Sequence, residues 1–162
     1  MSALVDPDLM SLQHLDTANK NETGIVTLGY EGRKLDQFLL ILKGNNVRRL
    51  IDVRNNPFSL KPGYSKTQLA KALDAIGITY LHLPELGIES RRRKNLSKDG
   101  LSSLFQSYDR ELDAKVASLT RIKELAQKER VALMCFEADV RECHRGVIAR
   151  RLKNDGIDVI DL

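Results

Sequence analysis

Tryptophan is absent from the chain, and phenylalanine and tyrosine together supply only 5% of it. Surfaces that stack unpaired bases are built from aromatic rings, so this scarcity argues against a single-strand stacking platform. Cysteine is scarce too, with Cys135 and Cys143 alone. Two cysteines in a chain of this length do not make a secreted disulfide framework. No apolar stretch approaches the roughly 20 residues that cross a bilayer. Asp6 and Asp8 stand where a secretory leader would be basic and then apolar. The expected location is the cytoplasm, away from any membrane. Internal repeats and low-complexity segments are also missing, so no repeat architecture is expected.

What remains is ordinary globular material. The 162 residues suffice for one core and are short for two, and the hydrophobic and charged fractions, 42% and 30%, fit a folded domain. A net charge of +4 permits contact with nucleic acid or a phosphorylated ligand without requiring it. Residues 1–22 are polar and lack a sustained period; they read as a flexible or loosely docked tail with room for a helical turn around Leu9 to Leu15. Residues 23–162 read as a single α/β domain.

Within that domain strands and helices alternate. Ile25 to Leu28 is a short apolar strand ending at Gly29. Leu35, Phe38, Leu39 and Leu42 recur at helical spacing before Gly44-Asn45-Asn46. Arg49 to Val53 is a second strand, followed by a loop with Pro57 and Pro62. Ser65 is placed to cap a helix carrying Leu69, Ala72, Leu73 and Ile76, which Gly77 ends. Ile78 to Leu83 is a third strand, and a charged loop runs from Pro84 to Gly100. Leu101 to Lys128 keeps an apolar period over many turns, as one long helix or two joined by a break. Val131 to Cys135 is the fourth strand, Arg145 to Asn154 a helix, and Asp158 to Ile160 a fifth strand. Repeating strand–helix units predict a three-layer α/β fold with a mostly parallel sheet of about five strands.

A parallel sheet delivers its strand exits to one edge, where ligands of such folds bind. Tyr30 and Glu31 follow the first strand, Asp52 and Arg54 leave the second on one side, His82 ends the third, and Glu137 follows the fourth. Cys143, His144 and Arg145 then open a helix, whose free N–H groups favour anions. Arg54 and Arg145 are expected to hold an anion, with Tyr30 and Cys143 beside the ligand and Asp52, Glu137 and His144 as acid–base groups. Arg150 and Arg151 read as the wet face of the helix.

Two sharper readings are weaker. Cys135 and Arg141 have the Cys-x5-Arg spacing of a phosphate-cradling loop, but that loop lacks glycine and holds Glu137 and Asp139, which repel a dianion. Cys135 therefore reads as a small apolar residue. Zinc held by Cys135, Cys143, His144 and His82 matches no common spacing, and adjacent Cys143-His144 would need unusual backbone geometry. No metal site is expected, and the cofactor is left open. The run Arg91 to Lys94 reads as a solvated loop, or as a lid or phosphate contact rimming the crevice.

Thr27-Leu-Gly-Tyr-Glu-Gly32, Asp52-Val-Arg54 with Pro57 and Ser59, Gly77 to Gly87, and Leu133-Met-Cys-Phe-Glu137 followed by Cys143-His-Arg145 together resemble the family called domain of unknown function 488. The likeness runs in order from about Ile25 to Leu162. It implies a Rossmann-like α/β domain and marks Tyr30, Asp52, Arg54, Glu137, Cys143, His144 and Arg145 as motif positions. It implies no reaction. Where the family often has a histidine soon after the last strand begins, this chain reads Val159-Ile-Asp161-Leu162.

Two functions compete. One is an enzyme acting on a phosphate-bearing ligand, a nucleotide or nucleic acid, in a polar crevice at the carboxyl edge of the sheet. The other is a non-catalytic module that binds nucleic acid or an acidic partner through the same cations. Carboxylates beside the anion hooks favour the enzyme, since a mere hook does not need them.

Overall fold

The five apolar runs become five strands: β1 (Gly24–Gly29), β2 (Arg49–Asp52), β3 (Thr79–His82), β4 (Arg130–Cys135) and β5 (Val159–Asp161). A computed structural model describes residues 22–162; nearly all of the expected tail, its helical turn and His14 lie outside the described residues. The strands form one sheet in the order β3-β2-β4-β1-β5, with every neighbouring pair parallel. The chain is an α/β protein.

Side chains alternate across each strand, so the sheet has two separate cores. Val26, Leu28, Leu50, Ala132 and Met134 face one way, against α1 (Leu35–Gly44) and α2 (Lys66–Asp74) through Phe38, Leu42, Leu69 and Leu73. Ile25, Ile51, Val131, Leu133 and Cys135 face the other way. There they meet α4 (Lys98–Glu111), α5 (Val116–Lys128) and α6 (His144–Asn154) through Tyr108, Leu119, Ile122, Val147 and Ile148. Burying each such aliphatic side chain stabilises the fold by about 1.5–3 kcal/mol before chain entropy is counted.

The connections differ from expectation in two places, and the long apolar period takes the second of its two expected forms. The loop after β3 is not irregular throughout: Pro84–Leu86 forms a 3-10 turn, α3 (Ser90–Arg93) one short helix, and Ser97 caps α4 by accepting from the Gly100 amide at 3.1 Å. The long apolar period breaks into α4 and α5 at a 3-10 turn, Leu112–Lys115. Ser65 precedes α2 but does not cap it, because its hydroxyl is spent on Ser59, accepting from its amide and donating to its carbonyl. That exchange closes the loop between β2 and α2.

Tyr64, in that loop, stacks on Tyr30 at 4.3 Å and donates to the Arg33 carbonyl at 3.0 Å. Burial pushes its hydroxyl up to about 12, and burial likewise raises Tyr80 and Tyr108. An unfolded tyrosine titrates near pH ~10, so above that value unfolding releases protons that the native chain retains. Stability is therefore full below pH ~10 and falls as pH rises towards 12. Melting temperatures recorded across that window should decline steeply for the natural chain and less steeply for Tyr64→Phe. Equal slopes would show that Tyr64 is not among the groups responsible.

Candidate functional site

The carboxyl edge gathers the expected residues, and strand alternation sorts them into two groups. In register, Asp52 lies beside Met134, so it points to the α1–α2 face, whereas Cys135 points to the α6 face.

On the α1–α2 face sits a closed network. Arg54 grips Asp52 through both Nε (2.9 Å) and Nη2 (2.7 Å) and donates Nη1 to the Tyr30 hydroxyl at 3.1 Å. The Tyr80 hydroxyl donates to Asp52 Oδ2 at 2.6 Å. Asp52 is wholly buried and Arg54 nearly so. Burial alone would lower the Arg54 pKa, but the Asp52 carboxylate outweighs it and keeps the guanidinium charged. Each of the three guanidinium nitrogens of Arg54 thus has a protein partner, and its backbone carbonyl meets His82 Nε2 at 2.8 Å.

The α6 face carries the second group. β4 ends at Cys135, the chain loops through Glu137, and Cys143 caps α6, with the Arg145 amide 3.5 Å from its sulfur. His144 opens the helix and turns its ring back under the sheet. Its Nε2 lies 2.8 Å from the Val53 carbonyl. A carbonyl only accepts, so Nε2 carries a proton, and Nδ1 faces the sulfurs as a lone pair when the ring is neutral and as an N–H donor when it is charged. Nδ1 lies 3.7 Å from Cys135 Sγ and 3.9 Å from Cys143 Sγ. Tyr108 holds the ring edge-on at 5.6 Å and is itself fixed by donating to the Leu86 carbonyl. The adjacent Cys143-His144 pair needs no unusual backbone: Cys143 is simply extended, at φ −129 and ψ 141.

Glu137 roofs this cluster. Cys135 donates to its Oε2 at 3.4 Å and Arg93 meets its Oε1 at 2.7 Å. Burial, then the Cys143 sulfur, raise the Glu137 pKa, with Arg93 pulling the other way. Burial would lift the Cys143 thiol, but hydrogen bonds from Cys135 and His144 and the charges of His144 and Arg145 bring it well below its usual value. Cys135, next to that sulfur and buried, is raised. Despite burial, His144 is raised by Cys143.

Arg145 is wholly buried. It donates to the carbonyls of Glu137 and Ala138, lies 3.4 Å from Thr27 Oγ1 and 3.5 Å from Asp161, and so pins the loop after β4 onto β1. Asp161 also accepts from Thr27. The pinning is tight enough to require glycine: a Cβ on Gly29 would stand 1.8 Å from the Glu137 carbonyl oxygen, and one on Gly146 2.3 Å from that of Val140.

The structure thus joins Glu137, Cys143 and His144, sets Tyr30, Asp52 and Arg54 apart on the opposite face, and places Arg145 beneath the loop between β4 and α6. Tyr80 was not singled out from sequence, Arg93 entered only as part of the basic run, and Cys135 was weighed for a phosphate loop and for zinc but read as a small apolar residue. Cys135 was legible, because it shares the odd-numbered face of β4 with the side on which α6 packs. Arg93 was not, since its place depends on how a seventeen-residue excursion returns across α4. The basic run is not simply solvated: Arg91 pairs with Glu89, Arg92 with Glu111 and Arg93 with Glu137. Arg151 clamps α6 to Asp109 and Asp113 rather than merely facing water.

Beside the cluster, between α4 and α6, lies a groove of about 900 Å³ that reaches Cys143. Lys98, Arg141, Arg150 and Lys153 line it. Arg141 pairs with Asp139 and Arg150 lies 3.7 Å from Asp109. No helix among the described residues is long and apolar enough to cross a membrane.

The family described as Domain of unknown function DUF488 matches residues 34–152. The chain belongs to that family. The match spans the DUF488 domain from the head of α1 to near the end of α6, taking in Asp52, Arg54 and the whole Cys135–His144 cluster. Searches of curated proteins and of solved structures found nothing that matches.

Proposed function

We propose that the chain is an enzyme acting on a phosphate-bearing ligand, a nucleotide or a stretch of nucleic acid, taken into the groove beside the head of α6. The observation that supports this most is the pairing, in one groove, of a cationic wall with a reactive floor. Lys98 and Lys153 line the wall and make no ion pair among the described residues. Cys143 lies at the floor, with His144 and Glu137 behind it. The volume is in the range of small-molecule sites.

On this reading the anion contact lies with the groove cations rather than with Arg54 and Arg145, whose donors are engaged internally. Those two arginines position the edge. Glu137, which does not line the groove but keeps 19% of its side chain exposed beside Arg93, is the acid–base group, assisted by His144. Asp52 supports the edge by keeping Arg54 paired.

Thermal-shift measurements with nucleoside mono- and triphosphates, inorganic phosphate and short DNA and RNA test the ligand class, because a ligand of the native state raises the melting temperature by mass action. A nucleotide should raise it, and the double variant Lys98→Glu/Lys153→Glu should abolish that rise while melting normally without ligand. Stabilisation by long polyanions alone, confined to low salt, would instead favour the non-catalytic module. No response to any phosphate-bearing compound would remove this reading.

A further inference from the structure

Cys135, Cys143 and His144 come from two elements, the end of β4 and the head of α6, yet their sulfur and nitrogen atoms all lie within 4.8 Å of one another. All three residues are buried. We propose that Cys135 Sγ, Cys143 Sγ and His144 Nδ1 together bind one zinc ion, leaving a fourth position on the side of Glu137. The proposal deepens the reading of this crevice as catalytic and rests on it for the metal's purpose, though not for its binding.

Three observations converge. Tetrahedral zinc with Zn–S near 2.3 Å and Zn–N near 2.0–2.1 Å places sulfur and nitrogen about 3.6 Å apart. The two sulfur-to-Nδ1 distances are 3.7 and 3.9 Å, so the ligands stand near that spacing already. The histidine is also held near a ligand's pose: Nε2–H is committed to the Val53 carbonyl, which fixes the tautomer and leaves Nδ1 as the nitrogen on the sulfur side. Cys135 Sγ, 3.7 Å from Nδ1 and 4.0 Å from Nε2, lies over the ring, so its side chain must turn towards Nδ1 when the ion binds. Tyr108 stops the ring from turning away.

Charge balance is the third. Two thiolates around one Zn²⁺ make a neutral group, which suits a buried site where a lone thiolate is costly. The donor set also selects the metal, since two thiolates with one imidazole favour zinc over hard cations such as magnesium or calcium. A three-ligand set leaves one position open, as in catalytic rather than structural zinc sites. Glu137 Oε2, 3.4 Å from Cys135 Sγ, is the carboxylate beside that position. It would fill it or act on a water there. Zinc held by one histidine and two cysteines, with a non-ligand glutamate as proton carrier, is a known arrangement for activating water. The spacing here, seven residues between the cysteines and none before the histidine, is not that of any common zinc motif.

The test uses the whole chain, purified without chelator. Atomic emission should find about one zinc per chain. After the metal is stripped under reducing conditions, Co²⁺ titration should produce sulfur-to-cobalt charge-transfer absorption and the intense visible bands of a tetrahedral site. Both should saturate at about one equivalent, the stoichiometry of a single three-ligand site. Cys143→Ser and Cys135→Ser should each weaken the charge-transfer band, and His144→Ala should shift the visible bands. Should a variant fail to fold, the titration of the natural chain decides alone. Absence of zinc together with no cobalt absorption at several equivalents overturns the proposal. So does a Cys135–Cys143 disulfide that re-forms after reduction and leaves cobalt unbound. No phosphate ligand is present in this experiment, so zinc binding without any nucleotide response would retain the metal and reject the phosphate reading.

Discussion

Asp52→Ala lowers stability by about 3–5 kcal/mol, because it strands a buried guanidinium without its counter-charge. Arg54 is 6% exposed and both its Nε and Nη2 are directed at Asp52, so no water replaces the lost carboxylate. Tyr80 loses its acceptor in the same step. For a domain of this size the melting temperature should fall by roughly 10 °C. Pairing the change with Arg54→Met should recover part of the loss, since the orphaned charge goes with it. Equilibrium denaturation of the two single variants and the double variant measures the coupling directly. A loss below about 1 kcal/mol for Asp52→Ala would mean that the ion pair is not the anchor described here. The catalytic role for Asp52 expected from sequence would then regain its place.

Arg145→Met has a comparable effect by another route, lowering stability by about 3–5 kcal/mol. Methionine keeps much of the volume but leaves the Glu137 and Ala138 carbonyls without the donors that hold them. Those carbonyls flank the loop that carries Glu137, so the same change should loosen Glu137 from the cluster as well. Arg145→Lys should not restore the native value. A single ammonium cannot reproduce a planar fork that reaches two carbonyls and Thr27 at once. Full stability in Arg145→Lys would show that charge, not geometry, is what this position supplies.

The strands and the edge that carries the site were legible because each rests on local chemistry. Ile25 to Leu28 and Val131 to Cys135 are apolar runs that become neighbouring strands buried on both faces. The exits Tyr30, Asp52, His82 and Glu137 do reach one edge. The division of that edge was not legible, because it depends on which strands become neighbours. Only the β2–β4 register, which sets Asp52 beside Met134, shows that Asp52 and Cys135 point to opposite faces. The same long-range folding turned the expected anion hooks inward. Nothing local to Arg145 signals that β1 and β5 will bring Thr27 and Asp161 beneath it. The approach of Cys135, Cys143 and His144 was weighed from sequence and set aside on spacing, which is a guide only when one hairpin or helix carries the residues.

The proposed chemistry at this edge, on a phosphate-bearing ligand with Glu137 as the acid–base group, is tested by incubating the natural chain and Glu137→Gln with a panel of nucleotides and short oligonucleotides. Every component is then followed by chromatography and mass spectrometry. The natural chain should convert at least one compound, and Glu137→Gln should lose that conversion while retaining binding. No conversion of any compound, or conversion at an undiminished rate by Glu137→Gln, would contradict it.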